Sequence, residues 1–320
     1  MTDATSLPEV RPPSRRARFI IALFIGVAAG LFAGLMAARP GAVPDLLYPL
    51  TAARHLLDGV SPYAAMPGVR GASPPYDEPF FYPLTAVIAL TPLAGMATPL
   101  AVGLFFGLSS ALLAYFLTRE ELWRVHLFAS APFVVAASLG QFSPLVTVAA
   151  LVPWAGALCT LKPNLGLAIL LRQPSRALLV SCAAFGILSL AISPHWLAEW
   201  LGGLRGDAGS GRIHEIPFMQ PAGYILVLSL LAVRRADGRL LAAMSLLPQL
   251  LFFYDQLPLF LAARTRRQSI ALTACSQAGM IAWWLTSTPG DPVVRSAYPF
   301  VLASTYLPAL VVVLLNAKRA

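Results

Sequence analysis

The sequence predicts an all-α polytopic membrane protein of about 10–12 transmembrane helices, some of them short or broken. Three observations predict this class. Of the 320 residues, 58% are apolar and only 12% are charged, whereas soluble domains carry about 25% charged residues. Apolar runs of roughly 18 or more residues, long enough to cross a bilayer, recur along the whole length. The remaining polar residues gather in a few loops. A soluble helical core of this composition lacks the polar surface to cover itself.

The formal net charge of +9 does not point to nucleic acid. In a polytopic chain, Lys and Arg collect in the cytoplasmic loops and set orientation. The three cysteines, Cys159, Cys182 and Cys275, show no CxxC spacing, and His55, His126, His195 and His214 are scattered. Neither a disulfide framework nor a metal site is expected.

Residues 1–17 are polar, contain Pro8, Pro12 and Pro13, and read as a disordered cytoplasmic tail. Arg15, Arg16 and Arg18 lead into an apolar run that ends near Ala38. The small residues of MAARPGA would suit signal cleavage, but the run is longer than a usual signal core and further spans follow. It reads as an uncleaved first span of a single transmembrane domain, 18–320. Segment 39–79 follows as an outside loop and holds Asp45, Tyr48, Asp58, Tyr63, Tyr76, Asp77 and Glu78.

Further spans are expected at 80–97, 98–118, 124–139, 142–160, 163–172, 176–193, 217–233, 239–253, 256–264, 268–286 and 297–315. Two of these, 163–172 and 256–264, are too short to cross about 30 Å as straight helices and read as half-helices. With both termini inside, 119–123, 194–216 and 287–296 join 39–79 on the outside. Most of the 23 Lys and Arg then lie inside, as the charge rule requires. The same assignment places Gln141 toward the inner side. In 194–216, Trp196, Leu197, Trp200, Leu201 and Leu204 recur at helical spacing, which suits a helix lying at the membrane interface.

A few polar residues stand out. Asp45 follows the first span and precedes the apolar pattern of Leu46, Leu50, Ala53, Leu56 and Leu57, which Gly59 can end. A carboxylate there suits a general base acting on a hydroxyl; the alternative is an N-cap. Asp58 beside Gly59 fits turn chemistry. Asp77 and Glu78 suit either acid–base work or a solvated loop. Lys162, in LCTLKPNLG, is costly at membrane depth. It suits binding of a lipid phosphate, or snorkelling at a helix end. Gln141, in SLGQFSP, and Asp255, in LLFFYDQLPLF beside Tyr254 and Gln256, sit at interruptions of apolar runs. Asp255 suits positioning a substrate hydroxyl or pairing with Lys162 or an arginine, and Gln141 an interhelical hydrogen bond. No nucleotide-binding loop, GxSxG or HExxH occurs.

Four segments, DLLYPLTAARHLLDGVSPY, FFYPLTAVIALTPLA, LGQFSPL and LKPNLGLAILL, occur in that order within residues 45–171. Together they resemble the bacterial polyprenyl-phosphate-mannose-dependent mannosyltransferases of the GT-C superfamily. The resemblance implies a GT-C-like fold and an extracytoplasmic site in a bacterial plasma membrane. It implies transfer of mannose or a related sugar from a polyprenyl-phosphate donor to a lipid or glycan acceptor, by a single inverting displacement. It makes Asp45 the catalytic base and puts Lys162, beside Pro163, at the donor phosphate. Tyr48, Tyr82, Gln141, Asn164 and Asp255 complete the candidate site region. The expected partners are the donor, the acceptor and membrane lipids, with no nucleic acid, cofactor or metal. Two other classes fit the same composition: a multi-pass lipid or small-molecule transporter, and a non-catalytic subunit of envelope assembly.

Overall fold

The structure, a computed structural model, describes residues 12–63, 80–207, 215–288 and 293–318. Among these the fold is all-helical, with one isolated antiparallel bridge between Glu215 and Gln249. Asp77 and Glu78 lie outside the described residues, as do Tyr76 and most of the N-terminal tail.

Helix α1, Arg15–Ala37, is capped by Ser14, whose hydroxyl accepts from the Ala17 amide. The expected disordered tail therefore ends earlier than predicted, because Arg15, Arg16 and Ala17 form the helix's first turn. Next comes α2, Leu47–Leu57, with Gly59 at φ +72° just past its end. α3, Leu84–Leu90, continues as a single 3₁₀ turn to Leu93. α4, Thr98–Leu117, packs antiparallel on α1. Glycines set that contact. A Cβ at Gly30 would lie 2.7 Å from the Gly103 carbonyl oxygen, and one at Gly107 would lie 2.8 Å from that of Gly26. The four-residue spacing of Gly26, Gly30 and Gly34, and of Gly103 and Gly107, lets the two backbones touch. At the far end Arg18 closes the pair, donating from Nη2 to the Tyr115 carbonyl at 2.6 Å.

The middle of the chain folds as returning hairpins rather than full spans. A 3₁₀ segment, Leu122–Ala129, turns into α5, Ala131–Leu139. α5 reverses at Gly140 into α6, Ser143–Val148. A second 3₁₀ segment, Pro153–Thr160, reverses at Lys162 into α7, Pro163–Arg172. α8, Arg176–Ile192, bends by 98° into α9, Trp196–Asp207. After a 3₁₀ segment, Gly223–Ala232, α10, Ala236–Leu246, climbs to an irregular apex, and the 3₁₀ segment Leu257–Ala262 returns from it. α11, Arg266–Thr286, then packs with α12, Val293–Val301, which runs through a π-helical turn into α13, Leu307–Lys318.

Three described helices are long and apolar enough to cross a membrane, and the number is at most five if each of two bent pairs counts as one span. The expected 10–12 crossings are thus corrected downward. Proline is the physical reason. Pro92, Pro153, Pro248 and Pro258, interior to the apolar runs, each remove a backbone donor and clash with the carbonyl four residues back, so 80–97, 142–160 and 239–264 cannot run as straight helices. Segment 80–97 does not cross at all. Arg54 of α2 donates to the carbonyls of Ala94 (2.9 Å) and Met96 (3.0 Å), which holds that segment at the same end of the molecule as α2.

The chain therefore has two ends. One gathers basic residues: Arg119, Arg124, Arg172 and Arg264 meet around Asp237 and Glu120. The other carries α2, α3 and α9. Segment 119–123, expected on the Asp45 side, sits instead at the basic end. The error is one of counting, since 80–97 had been given a crossing that it does not make. The helix expected in 194–216 is present as α9. Exposed Phe19, Leu23, Phe24, Leu31 and Leu35 line the outer face of α1, and Leu230, Leu231, Trp284 and Leu285 are also exposed. Apolar area this large suggests association with a membrane.

Replacing Gly30 by Leu is expected to destabilise the protein by about 1–3 kcal/mol through forced separation of α1 and α4. Val27→Leu, on the exposed face of α1, should change stability by less than about 0.5 kcal/mol. Unfolding of the detergent-solubilised variants compares the two.

Candidate functional site

Each hairpin apex breaks for a local reason, and each presents one polar side chain. α5 ends at Gly140 in the left-handed conformation, φ +68°, where a side chain is disfavoured. A Cβ there would also press on Leu46 at 3.2 Å and Val102 at 3.1 Å, so glycine lets this apex settle against the residue after Asp45. Lys162 is extended, with φ −141°, because Pro163 disfavours the helical conformation in the residue before it. The third apex contains Phe253 at φ +48° and ends in Asp255-Gln256-Leu257-Pro258, with proline at the second position of the returning segment.

The three apices converge. The Gln141 Nε2 amide donates to Asp45 Oδ2. The Gln141 Oε1 accepts from Lys162 Nζ at 3.0 Å. Lys162 Nζ also donates to Asp255 Oδ1 at 2.6 Å and lies 4.7 Å from the Tyr254 ring centroid. Gln141 and Asp255 are each 1% exposed, and the Lys162 side chain is 13% exposed. One amide thus joins two charges of opposite sign, with its oxygen toward the ammonium and its nitrogen toward the carboxylate. No other orientation of the amide satisfies both.

Burying these charges is costly, and the cost falls only if the geometry is good and the remaining polar atoms are satisfied. Along the Asp45–Gln141–Lys162–Asp255 line each charge has a side-chain partner. Behind it, Gln256 donates to Gln249 Oε1 at 3.3 Å, Gln249 donates to the Met244 carbonyl at 2.5 Å, and the Tyr306 hydroxyl donates to the same carbonyl at 3.4 Å.

The sequence-predicted residues separate into two groups. Asp45, Gln141, Lys162 and Asp255 form the contact line. Tyr82 stands over it: its hydroxyl lies beside the Gln141 amide and within electrostatic reach of Asp45, Asp255 and Tyr48. Tyr48 is half-buried on the same side. Asn164 does not join them, and donates instead to the Pro248 carbonyl at 3.2 Å, tying the second hairpin to the third. Gln141, expected toward the inner side, belongs with Asp45, because 80–97 stays at the α2 end and the following segments change side. The residue at the N-cap of α2 is Leu46, directly after Asp45. Asp58 forms the C-terminal turn of α2, as its place beside Gly59 predicts.

Sequence reasoning missed Tyr254 as the ring under the lysine, and Gln249 and Tyr306 behind it. Tyr254 could have been found from its place beside Asp255, but Tyr306 lies 51 positions later with no local signal. Two straps cover the site from the Asp45 end. Trp200 of α9 donates to the Phe81 carbonyl at 2.8 Å, and Ser61 donates to Glu199 at 2.9 Å. Rings of Tyr63, Phe80, Tyr82 and Phe142 follow one another at 5.6, 5.9 and 5.4 Å, leading from the strap to the residue after Gln141.

A groove of about 370 Å³ between α7, α8 and α9 is walled mainly by apolar groups, among them Pro163, Leu167, Leu170, Trp196 and Trp200; Thr160 and Pro163, on either side of Lys162 in the chain, line it, and Lys162 itself does not. Compared with known protein families, curated proteins and solved structures, the chain shows no significant match.

Removing either end of the lysine–carboxylate pair strands a buried charge. Lys162→Met and Asp255→Asn are each expected to cost about 3–5 kcal/mol. The double variant should lose less than the sum, with a coupling of about 0.5–3 kcal/mol. A double-mutant cycle of unfolding free energies measures it; strict additivity would mean that the two residues do not pair.

Proposed function

We propose that this chain is a membrane glycosyltransferase, which moves mannose or a related sugar from a polyprenyl-phosphate donor to an envelope lipid or glycan on the extracytoplasmic face of a bacterial plasma membrane. The observation that carries the reading is the Gln141 amide bridging Asp45 and Lys162. It puts a carboxylate and an ammonium side by side at one buried locus, as sugar transfer from a lipid phosphate needs. The ordered resemblance of residues 45–171 to GT-C mannosyltransferases supports the same assignment.

In the proposed reaction the Asp45 carboxylate takes the proton of the acceptor hydroxyl as its oxygen attacks the anomeric carbon. A carbon–oxygen bond forms on one face of the sugar while the bond to the phosphate oxygen breaks on the other, and the configuration inverts. The electron pair leaves with polyprenyl phosphate. Lys162 meets that developing charge. An ammonium carries three donors; Gln141 and Asp255 engage two, and the third serves a phosphate oxygen. Gln141 holds the Asp45 carboxylate in place, and Asp255 pairs with the Lys162 amine and fixes its position. The apolar groove lined by Pro163, Leu167 and Leu170 suits the polyprenyl chain by its chemistry.

A second reading is a transporter for a lipid or small anion. It is favoured by the three broken hairpins with buried polar apices, a feature of transporter binding sites. A transporter would bind the lipid phosphate without cleaving it.

Asp45→Asn keeps the size and the contact with Gln141 but removes the base. Sugar transfer by the purified protein from polyprenyl-phosphate donors is expected to fall by about 10²–10⁴-fold, while donor binding persists. Transfer at the wild-type rate would exclude Asp45 as the base. Binding of donor by the wild type without any release of lipid phosphate would favour the transporter.

A further inference from the structure

The basic end holds a cleft that sugar transfer does not use. It encloses about 480 Å³, with Arg119, Arg124, Arg172 and Arg264 on its polar side against two carboxylates, Glu120 and Asp237, and the Gln173 amide, whose oxygen accepts from Arg172 at 3.4 Å. Three separate segments of the chain supply these guanidinium groups, Arg119 and Arg124 from the connection after α4 and Arg172 and Arg264 from two others. Their pairing is incomplete. Asp237 is shared by Arg264 at 3.1 Å and Arg172 at 3.5 Å. Arg124 pairs with the exposed Glu120 at 2.8 Å. Arg119 makes no side-chain hydrogen bond or ion pair among the described residues. The Nε atoms of Arg124 and Arg172 are buried without a partner.

The carbonyls that might have taken these donors are already served. Arg239 donates to the Arg172 carbonyl at 2.7 Å and to the Leu171 carbonyl at 3.0 Å, and Arg172 itself donates to Ala150 at 3.0 Å. The other wall of the cleft is apolar, with Phe116, Leu117, Leu151 and Leu261. A buried donor left without an acceptor is destabilising, and a surplus of guanidinium groups around a cavity repels itself. Both are relieved by a tetrahedral anion, because guanidinium forks match phosphate oxygens two at a time.

We infer that this cleft binds a phosphate group, presented either by an anionic phospholipid headgroup or by a soluble phosphate. The apolar wall and the position at the ends of apolar helices fit the headgroup, since basic pockets between such helices collect anionic lipids. The site is independent of Asp45 and Lys162: it lies one short helix away, about 15 Å along the ten residues of α7.

The test uses the full-length protein in a neutral detergent and follows its unfolding temperature. The additions are phosphatidylglycerol in mixed micelles, phosphatidylcholine in the same micelles, and sodium phosphate against sodium chloride at equal ionic strength. Phosphatidylglycerol or phosphate should stabilise the wild type where phosphatidylcholine and chloride do not. Stabilisation by the lipid alone identifies a headgroup site, and by phosphate alone a soluble-anion site. In Arg119→Gln/Arg124→Gln the half-maximal concentration should rise about tenfold or more. If that variant fails to fold, the exposed Arg119→Gln alone should shift it about threefold. Equal responses to anionic and neutral additions, or an unshifted response in the variants, would overturn the assignment.

Discussion

A lysine ammonium and an aspartate carboxylate meet at 2.6 Å in the interior of an apolar protein, and the architecture follows from the need to bring them there. Neither group can be buried alone, because removing one charge from water costs several kcal/mol even after relaxation. Pairing offsets part of that cost, and the Gln141 amide, the Tyr254 ring and Asp45 supply the rest of the shell. Each member arrives on a different piece of chain. Three of those pieces are hairpins that stop part-way through the molecule. A continuous helix would carry its polar residue past the meeting point. The glycine and proline residues at the apices end each climbing segment at the needed depth.

Such breaks expose backbone groups that helices normally satisfy internally, and in an apolar setting those groups must find partners within the protein. The structure answers this with side chains. Asn164 takes the Pro248 carbonyl, and Gln249 and Tyr306 share that of Met244. Arg54 holds two carbonyls at the end of the third helix. The long helices serve as the frame. α1 and α4 lock through facing glycines, and α11 is fixed to α13 by Gln268 and Asn316 at 2.7 Å. The hairpins hang inside that frame, with their arginine-rich ends together and their apices against Asp45.

Part of this was legible in the sequence. Apolar composition identified an all-helical chain of membrane type, and the first span at 18–38 differs from α1 by a few residues. Gly59 marked the end of α2, and the aromatic spacing of 194–216 marked α9. Gln141, Lys162 and Asp255 stood out because polar side chains interrupt apolar runs for a reason. Their meeting was not legible. A half-helix and the first half of a span have the same hydropathy, so 80–97 and 142–160 looked like crossings. Side is assigned by counting crossings, and one miscounted segment inverts everything after it. That is how Arg119 and Arg124 came to be placed away from Arg172, and Gln141 away from Asp45. The prolines carried the correction, since Pro92 inside 80–97 and Pro153 inside 142–160 each forbid the continuity those spans required. Tyr306 had no signal of any kind, because a tyrosine in an apolar helix looks the same whether or not it faces a buried network.

The convergence of the first hairpin on Asp45 is the claim on which the rest stands, and proximity measures it directly. With Cys159, Cys182 and Cys275 replaced by serine or alanine, cysteines placed at Asp45 and Gln141 should be joined within one chain by a short bifunctional thiol reagent. Peptide mapping by mass spectrometry detects the link. Cysteines at Asp45 and Arg119 should remain unlinked under the same conditions. A link between positions 45 and 119, with none between 45 and 141, would restore a crossing at 80–97 and contradict the arrangement.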